Sequence, residues 1–443
     1  MKSVGRDRAA ELGDQPIGRL LWSSAAQATI SVSTSSIYAL TNALFVSRGV
    51  GAIAFAAVNT AAPILLVLGA VSTAVGIGGA SLVSRSLGAG DTRRAARAAG
   101  CAFTAYWATA LVISVLGLLL LDPLLGVLGA TGATRGYAHQ YAQVILAGAV
   151  TATGFSSLVR AEGRMRFSTM LWMAPITCQI VLDPVLILGC SLGVRGAALG
   201  TVGGQAVSAG MSLWFFFGQR NRPYRITRAD LYPHWPTARS LIGLGAPSFL
   251  AGFGASLVIA LVNNLLAALG GPVFLSAYAI CSRISTLALM PQIGISQGMQ
   301  PLVGYNAGRA LAARVNRTRT LALCATIAYG TAACLALLAA AGPLTSLFTD
   351  DPAVRGAAAH ALRILALSYP LAGVTTLVSA YFQTLGRARP SYVISIGSIV
   401  AIRVPLLLVS SLFGTLGLWI SFPVAEAATA AASMLILSRR VSE

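Results

Sequence analysis

Twelve apolar runs dominate the sequence, at about 21–46, 54–80, 98–121, 137–159, 167–190, 195–218, 240–268, 273–300, 318–341, 358–383, 391–413 and 415–437. Each is close to or longer than the roughly 20 residues a helix needs to cross a hydrocarbon layer. In lipid each backbone polar group must find its partner internally, so uninterrupted runs of this length are read as helices. Only 10% of the 443 residues are charged, and the mean hydropathy is +0.77. A soluble domain carries about 25% charge. The pattern therefore excludes an ordinary soluble enzyme and predicts an all-α integral membrane protein of twelve transmembrane helices. The first run is too long for a signal peptide and lacks a cleavage site. Residues 1–17 read as a short polar tail.

The net charge of +19 has a topological origin. Of the 31 basic residues, 24 fall in the tail, the even-to-odd loops or the C-terminal end. Only five (Arg48, Arg135, Arg195, Arg355 and Arg363) fall on the opposite side, and Arg283 and Arg403 lie inside runs. So lopsided a split follows the positive-inside rule and puts both termini in the cytoplasm. The basic residues form no single patch, so a nucleic-acid partner is not expected; the lipid bilayer is. A single lysine against 30 arginines suits a GC-rich bacterial genome, hence the bacterial cytoplasmic (inner) membrane.

The six cysteines make no CxxC pair, and most lie in apolar runs, where a free thiol acts as a small hydrophobe. His139, His234 and His360 have no second ligand at helical spacing, and no Walker-type phosphate loop appears. No metal centre, disulfide, organic cofactor or enzymatic activity is expected.

The two halves repeat. Ser81-Leu82-Val83 through Gly88 aligns with Pro301-Leu302-Val303 through Gly308 at an offset of 220, as Arg135-Gly136 does with Arg355-Gly356. Gly163-Arg164-x-Arg166 aligns with Gly386-Arg387-x-Arg389 at 223. Six spans per half is an even number, so both halves enter the membrane in the same direction. That predicts a parallel pseudo-two-fold repeat, an organisation found in secondary transporters; a channel or receptor explains it less well. The expected boundaries are a tail at 1–17, an N-terminal six-helix lobe at 18–218, a basic linker at 219–239 and a C-terminal six-helix lobe at 240–438. A monomer is expected.

Several stretches resemble the MATE (multidrug and toxic compound extrusion) family. Phe45 to Gly90, with Gly49-Val50-Gly51, Pro63, Gly76-Ile77-Gly78-Gly79-Ala80-Ser81 and Leu87-Gly88-Ala89-Gly90, is similar to its second-helix region. The stretch from Gly294 to Gly308, GISQGMQPLVGYNAG, is similar to the eighth-helix signature of its DNA-damage-inducible-F-like branch. Leu182-Asp183-Pro184 and Gly193-Val194-Arg195-Gly196-Ala197-Ala198 resemble its fifth and sixth helices. The resemblance runs from about 17 to 437. It implies a cation-coupled antiporter, using H⁺ or Na⁺, that expels small organic compounds. The alternative is a lipid-linked glycan or lipid flippase of the same broader superfamily, which usually carries more charge in its cavity. A membrane enzyme would need a catalytic dyad near an interface, and none is evident.

Ionisable groups inside spans are costly, so each is a functional candidate. Asp183 lies about 24 Å into a run that starts inside, at ~1.5 Å per residue. Thr201 is as far after the turn near residue 192 as Asp183 is before it, so the two share a depth. Asn42 and Asn59 fall at similar depth, with Tyr38 one turn from Asn42 and Gln179 one turn from Asp183. A carboxylate among amide and hydroxyl oxygens suits a proton or a hard cation such as Na⁺. The alternative role for Asp183 is to cap backbone groups freed by Pro184. The resemblance implies the same cluster, with Asp183, Thr201 and Tyr38 matching. Relatives usually have Asp where Asn42 stands, Asn where Gln179 stands and often Pro where Gln27 stands. A mechanism that protonates a first-helix acid is therefore closed to this chain. Glu162, between Arg160 and Arg164 at a cytoplasmic end, is expected to be a solvated loop anchor.

In the C-terminal half, Arg403 and Glu426 lie equally far from the turn between the last two runs, near mid-membrane, and Arg283 is at comparable depth. Glu426 is expected to pair with Arg403 or with Arg283, leaving the other arginine to water, backbone carbonyls or a ligand. Asn263 and Gln292 join these three as candidate cavity lining, although such residues also hold helices together.

Overall fold

The computed structural model describes residues 4–130, 132–152, 155–219 and 221–441, with the side chains of all these except 4–8, 35–40, 43, 52, 440 and 441. Every regular element among them is helical: α1 (Val4–Asp14), α2 (Ile17–Gly49), α3 (Ala52–Gly88), α4 (Thr92–Leu119), α5 (Leu121–Val127), α6 (Gly132–Ala147), α7 (Ser156–Ala161), α8 (Met165–Pro184), α9 (Gly193–Leu213), α10 (Arg228–Leu231), α11 (Trp235–Gly308), α12 (Ala312–Ser346), α13 (Pro352–Ala366), α14 (Tyr369–Thr384), α15 (Ala388–Gly397), α16 (Val404–Ser411) and α17 (Gly414–Val441).

Seven helices among the described residues are long and apolar enough to cross a membrane, and two bent pairs, α6 with the segment Ala149–Ala161 and α13 with α14, also qualify. One of the seven, α11, is two spans joined where Gly271 takes φ 65°, a left-handed conformation open to glycine. With α2 and α9 these make twelve spans, one for each apolar run. Asp91 caps α4 by accepting from the Arg94 N–H at 2.8 Å, and Asp351 caps α13 ahead of Pro352. The polar tail differs from expectation. It forms α1, which packs on α3 and buries Ala9 and Leu12, because its few apolar residues fall on one side.

Contacts divide the chain into two units. One holds the chain up to Asp14 and Ile30–Gly245; the other holds Gln15–Thr29 and everything from Ala246 onward. The divisions fall inside helices α2 and α11, not in the 219–239 loop. Within the first unit the start of α11 lies backbone to backbone on α3, so a Cβ on Gly78 would strike the Leu241 carbonyl and one on Gly245 the Ala74 carbonyl. Within the second, the start of α2 meets Gly294 and Gly298, where a Cβ would strike Thr29 and Ala25. Ala74 and Gly78 stand 220 positions before Gly294 and Gly298, so the repeat extends to these seams. The first core gathers Val46, Ala57, Leu68, Tyr141, Ile145, Ile187 and Val194; the second gathers Val262, Leu266, Tyr278, Leu362, Leu407 and Trp419.

The 219–245 stretch is docked on the first unit. Thr104 donates to the Leu231 carbonyl at 2.6 Å, and Gly100 leaves room for the Asp230 backbone. The deeper anchor corrects the expectation for Glu162. That residue is 1% exposed, ion-paired to Arg222, and accepts from the Tyr224 hydroxyl at 2.6 Å. Arg222 also donates to the Phe216 carbonyl at 2.7 Å and lies over the Phe216 ring. Burial and the neighbouring carboxylate push the Tyr224 phenol well above its ordinary value near 10, so it stays a donor. Glu162 finds its cation 60 residues away in sequence, not in the flanking arginines.

Candidate functional site

Asp183 sits at the end of α8, where Pro184 removes one N–H and the next turn, Val185–Gly189, winds as a π-helix. Its side chain is fully buried at 0% exposure. One carboxylate oxygen, Oδ2, accepts from Gln179 Nε2 at 3.3 Å and, at the outer limit of a hydrogen bond, from Asn42 Nδ2 at 3.5 Å. Gln179 Nε2 also reaches Thr201 Oγ1 at 3.3 Å, and Thr201 donates to the Ala197 carbonyl. The other oxygen, Oδ1, is buried without a hydrogen-bond partner among the described residues. It lies against Gly200, whose missing side chain creates the space, since a Cβ there would overlap Oδ1.

The structure thus joins α2, α8 and α9 through Asn42, Gln179, Asp183 and Thr201. No cation neutralises the carboxylate among the described residues; dipoles hold Oδ2 and leave Oδ1 open. Asn59 is exposed on α3 and bonds to none of the four. The Tyr38 side chain lies outside the described residues. Sequence reasoning missed Gly200, although its place next to Thr201 offered a hint.

The second unit is arranged otherwise. Arg403 closes a π-helical stretch, Ser398–Arg403, ahead of Pro405, and its Nη2 donates to Glu426 Oε1 at 2.6 Å. The side chains are 29% and 16% exposed. Arg283, on the second span of α11, is exposed and has no hydrogen-bond or ion-pair partner among the described residues. Asn263 is also exposed, on the first span of α11. Gln292 is 2% exposed and donates to the carbonyls of Thr326 at 3.2 Å and Tyr369 at 2.9 Å, tying three spans together.

Twelve spans in two similar halves, with an acid buried in the first and arginines inside the second, define a multi-pass membrane transporter. The MatE family profile matches residues 28–185 and 247–409, and the chain belongs to the MATE family. It is similar to the multidrug export protein MepA of Staphylococcus haemolyticus (strain JCSC1435), 28% identical over 91% of this chain and 89% of that protein. MepA of Staphylococcus aureus (strain MRSA252) is 26% identical over 92% and 90%. In fold it matches an outward-facing multidrug resistance MATE family transporter of the MOP superfamily, with TM-score 0.90, 23% identity, and 98% and 97% of the two chains covered. A MATE structure in the bent conformation gives TM-score 0.92 at 23% identity over 98% and 97%.

Proposed function

We propose that the protein is a cation-coupled antiporter that exports small organic molecules across the bacterial cytoplasmic membrane by alternating access. Both termini lie in the cytoplasm, and a single chain, carrying both halves of the repeat, is the working unit. The observation that carries the reading is Asp183: a fully buried carboxylate inside a spanning segment, held by neutral donors, with one oxygen open. A charge in such a place is expensive, so an acid kept there without a cation is a candidate for a functional role. The relatives named as multidrug exporters favour this reading over a flippase.

Loading a proton or a cation on Oδ1 cancels the charge that draws the Asn42 and Gln179 amides inward. The contact between α2 and α8 then weakens, which gives the ion a differential affinity for two conformations, as coupling requires. A proton fits the arrangement as it stands. A sodium ion needs the amides to turn their oxygens toward it. Asn42 cannot carry a second proton, so Asp183 is the one carboxylate among the described members of this cluster.

The test is accumulation of a fluorescent substrate in everted vesicles under an imposed H⁺ or Na⁺ gradient. Asp183→Asn is expected to abolish gradient-driven export while expression and membrane insertion stay intact. Transport by the purified variant at the wild-type rate under the same gradient would overturn the coupling assignment.

A further inference from the structure

The second unit contains an arginine that its own fold does not use. Arg283 lies 12 residues beyond the break at Gly271, about 18 Å along the helix at ~1.5 Å per residue. The other end of the same span is farther still. That places Arg283 inside the apolar run and not at its ends, where basic side chains snorkel to an interface. It is nonetheless exposed and has no partner among the described residues. A bare guanidinium in hydrocarbon is costly, so this face meets water or a ligand.

The other two charges deep in the spans of this unit, Arg403 and Glu426, are spent on each other. Glu426, the acid that could have neutralised Arg283, is held by Arg403 at 2.6 Å. The pair sums to zero, and Arg283 is left as an uncompensated positive charge. Its helical face is mixed: Ser276 and Thr286, seven residues before it and three after, are exposed, as are Ala279 and Leu287, and Asn263 is exposed on the preceding span.

We infer that Arg283 binds the negative group of the transported molecule, so that the substrates are amphiphiles bearing one acidic function, such as a carboxylate, sulfonate or phosphate monoester. Arginine suits this role because its planar fork meets two oxygens of such a group at once and never loses its charge. Multiply cationic compounds meet like charge in a space of low dielectric and bind worse. The inference rests on the export reading above for its biological meaning, but binding tests it without transport.

The test compares two ligands of one shape, dansylate (an aromatic sulfonate monoanion) and neutral dansylamide, with the dication DAPI as a third. Binding to the purified full-length protein is measured in detergent by fluorescence titration. The wild type is expected to bind dansylate at least tenfold more tightly than dansylamide, and DAPI most weakly. Arg283→Gln is expected to remove the dansylate advantage and leave dansylamide unchanged, with the same melting temperature because the guanidinium makes no hydrogen bond or ion pair among the described residues. Arg283→Lys should retain part of the advantage. Equal affinity of Arg283→Gln and wild type for dansylate overturns the assignment, as does tighter wild-type binding of DAPI or no wild-type binding of dansylate. If dansylate binds as expected but no gradient moves it in vesicles, the export reading fails and the Arg283 assignment stands.

Discussion

The two halves of the repeat place opposite charges in one structural frame. Asp183 and Arg403 lie on α8 and on the span that begins with α15, whose N-caps Arg164 and Arg387 are 223 positions apart, so the two fall within one helical turn of equivalent positions. Each lies beside a proline, Pro184 or Pro405, and a π-helical turn. Asp183 is 0% exposed and touched only by neutral donors, whereas the Arg403 side chain is 29% exposed and matched to an acid. A lone buried acid can change charge state without breaking an ion pair, which suits a switch. A matched pair resists such change, which suits a fixed surface. Similar helix breaks can thus hold a lone buried acid in one half and a matched ion pair in the other.

The first unit tests this contrast internally, because its other buried acid, Glu162, uses ionic pairing. Glu162→Gln is expected to cost about 3 kcal/mol of stability by stranding Arg222, a loss seen as a lower melting temperature. Asp183→Asn should change the melting temperature far less, since no cation depends on Asp183. Equal losses in the two variants would erase the distinction between switch and clamp. A smaller effect, about 1–2 kcal/mol, is expected for Glu426→Gln, because Arg403 is partly exposed, unlike Arg222. Adding Arg403→Gln should recover part of it. A double variant that melts no higher than the single one would mean that the pair does not bear on stability.

Smallest in stability, and sharpest for the comparison, is Asn42→Asp. It places a second carboxylate against Oδ2 of Asp183, where the two like charges repel and a bound cation gains a second anionic ligand. The pH profile of transport should shift or its Na⁺ dependence increase. An unchanged profile in both respects would show that position 42 does not act on the ion.

Much of this architecture was legible from short-range pattern. The length of each apolar run marks a span, and equal distance from a turn brings Thr201 to Asp183. Gln179 follows from helical spacing, four residues before the acid. Partners that depend on tertiary approach were not legible. Glu162 looked solvated because arginines flank it, yet its cation comes from a loop 60 residues on. The choice between Arg403 and Arg283 for Glu426 needed side-chain directions that depth alone does not supply. Asn59 shares the depth of Asp183 and faces elsewhere, since depth says nothing about rotation about the helix axis. The divisions within α2 and α11 leave no mark in composition, because small residues such as Gly78 and Gly298 serve close helix packing anywhere.

The Glu162–Arg222–Tyr224 anchor also sets an order of events during synthesis. When the ribosome has made the first six spans, up to about residue 218, Glu162 has no partner. Its arginine and tyrosine emerge only with the loop that follows. The first half therefore cannot complete its packing until that loop is translated, and the start of α11 must follow before the seam at Gly78 closes. A gene divided after residue 218 would give an N-terminal fragment with an orphaned acid, whereas one divided after residue 245 would give a fragment that keeps the Glu162 anchor and the Gly78 seam but leaves Gln15–Thr29 without the helix surface at Gly294 and Gly298.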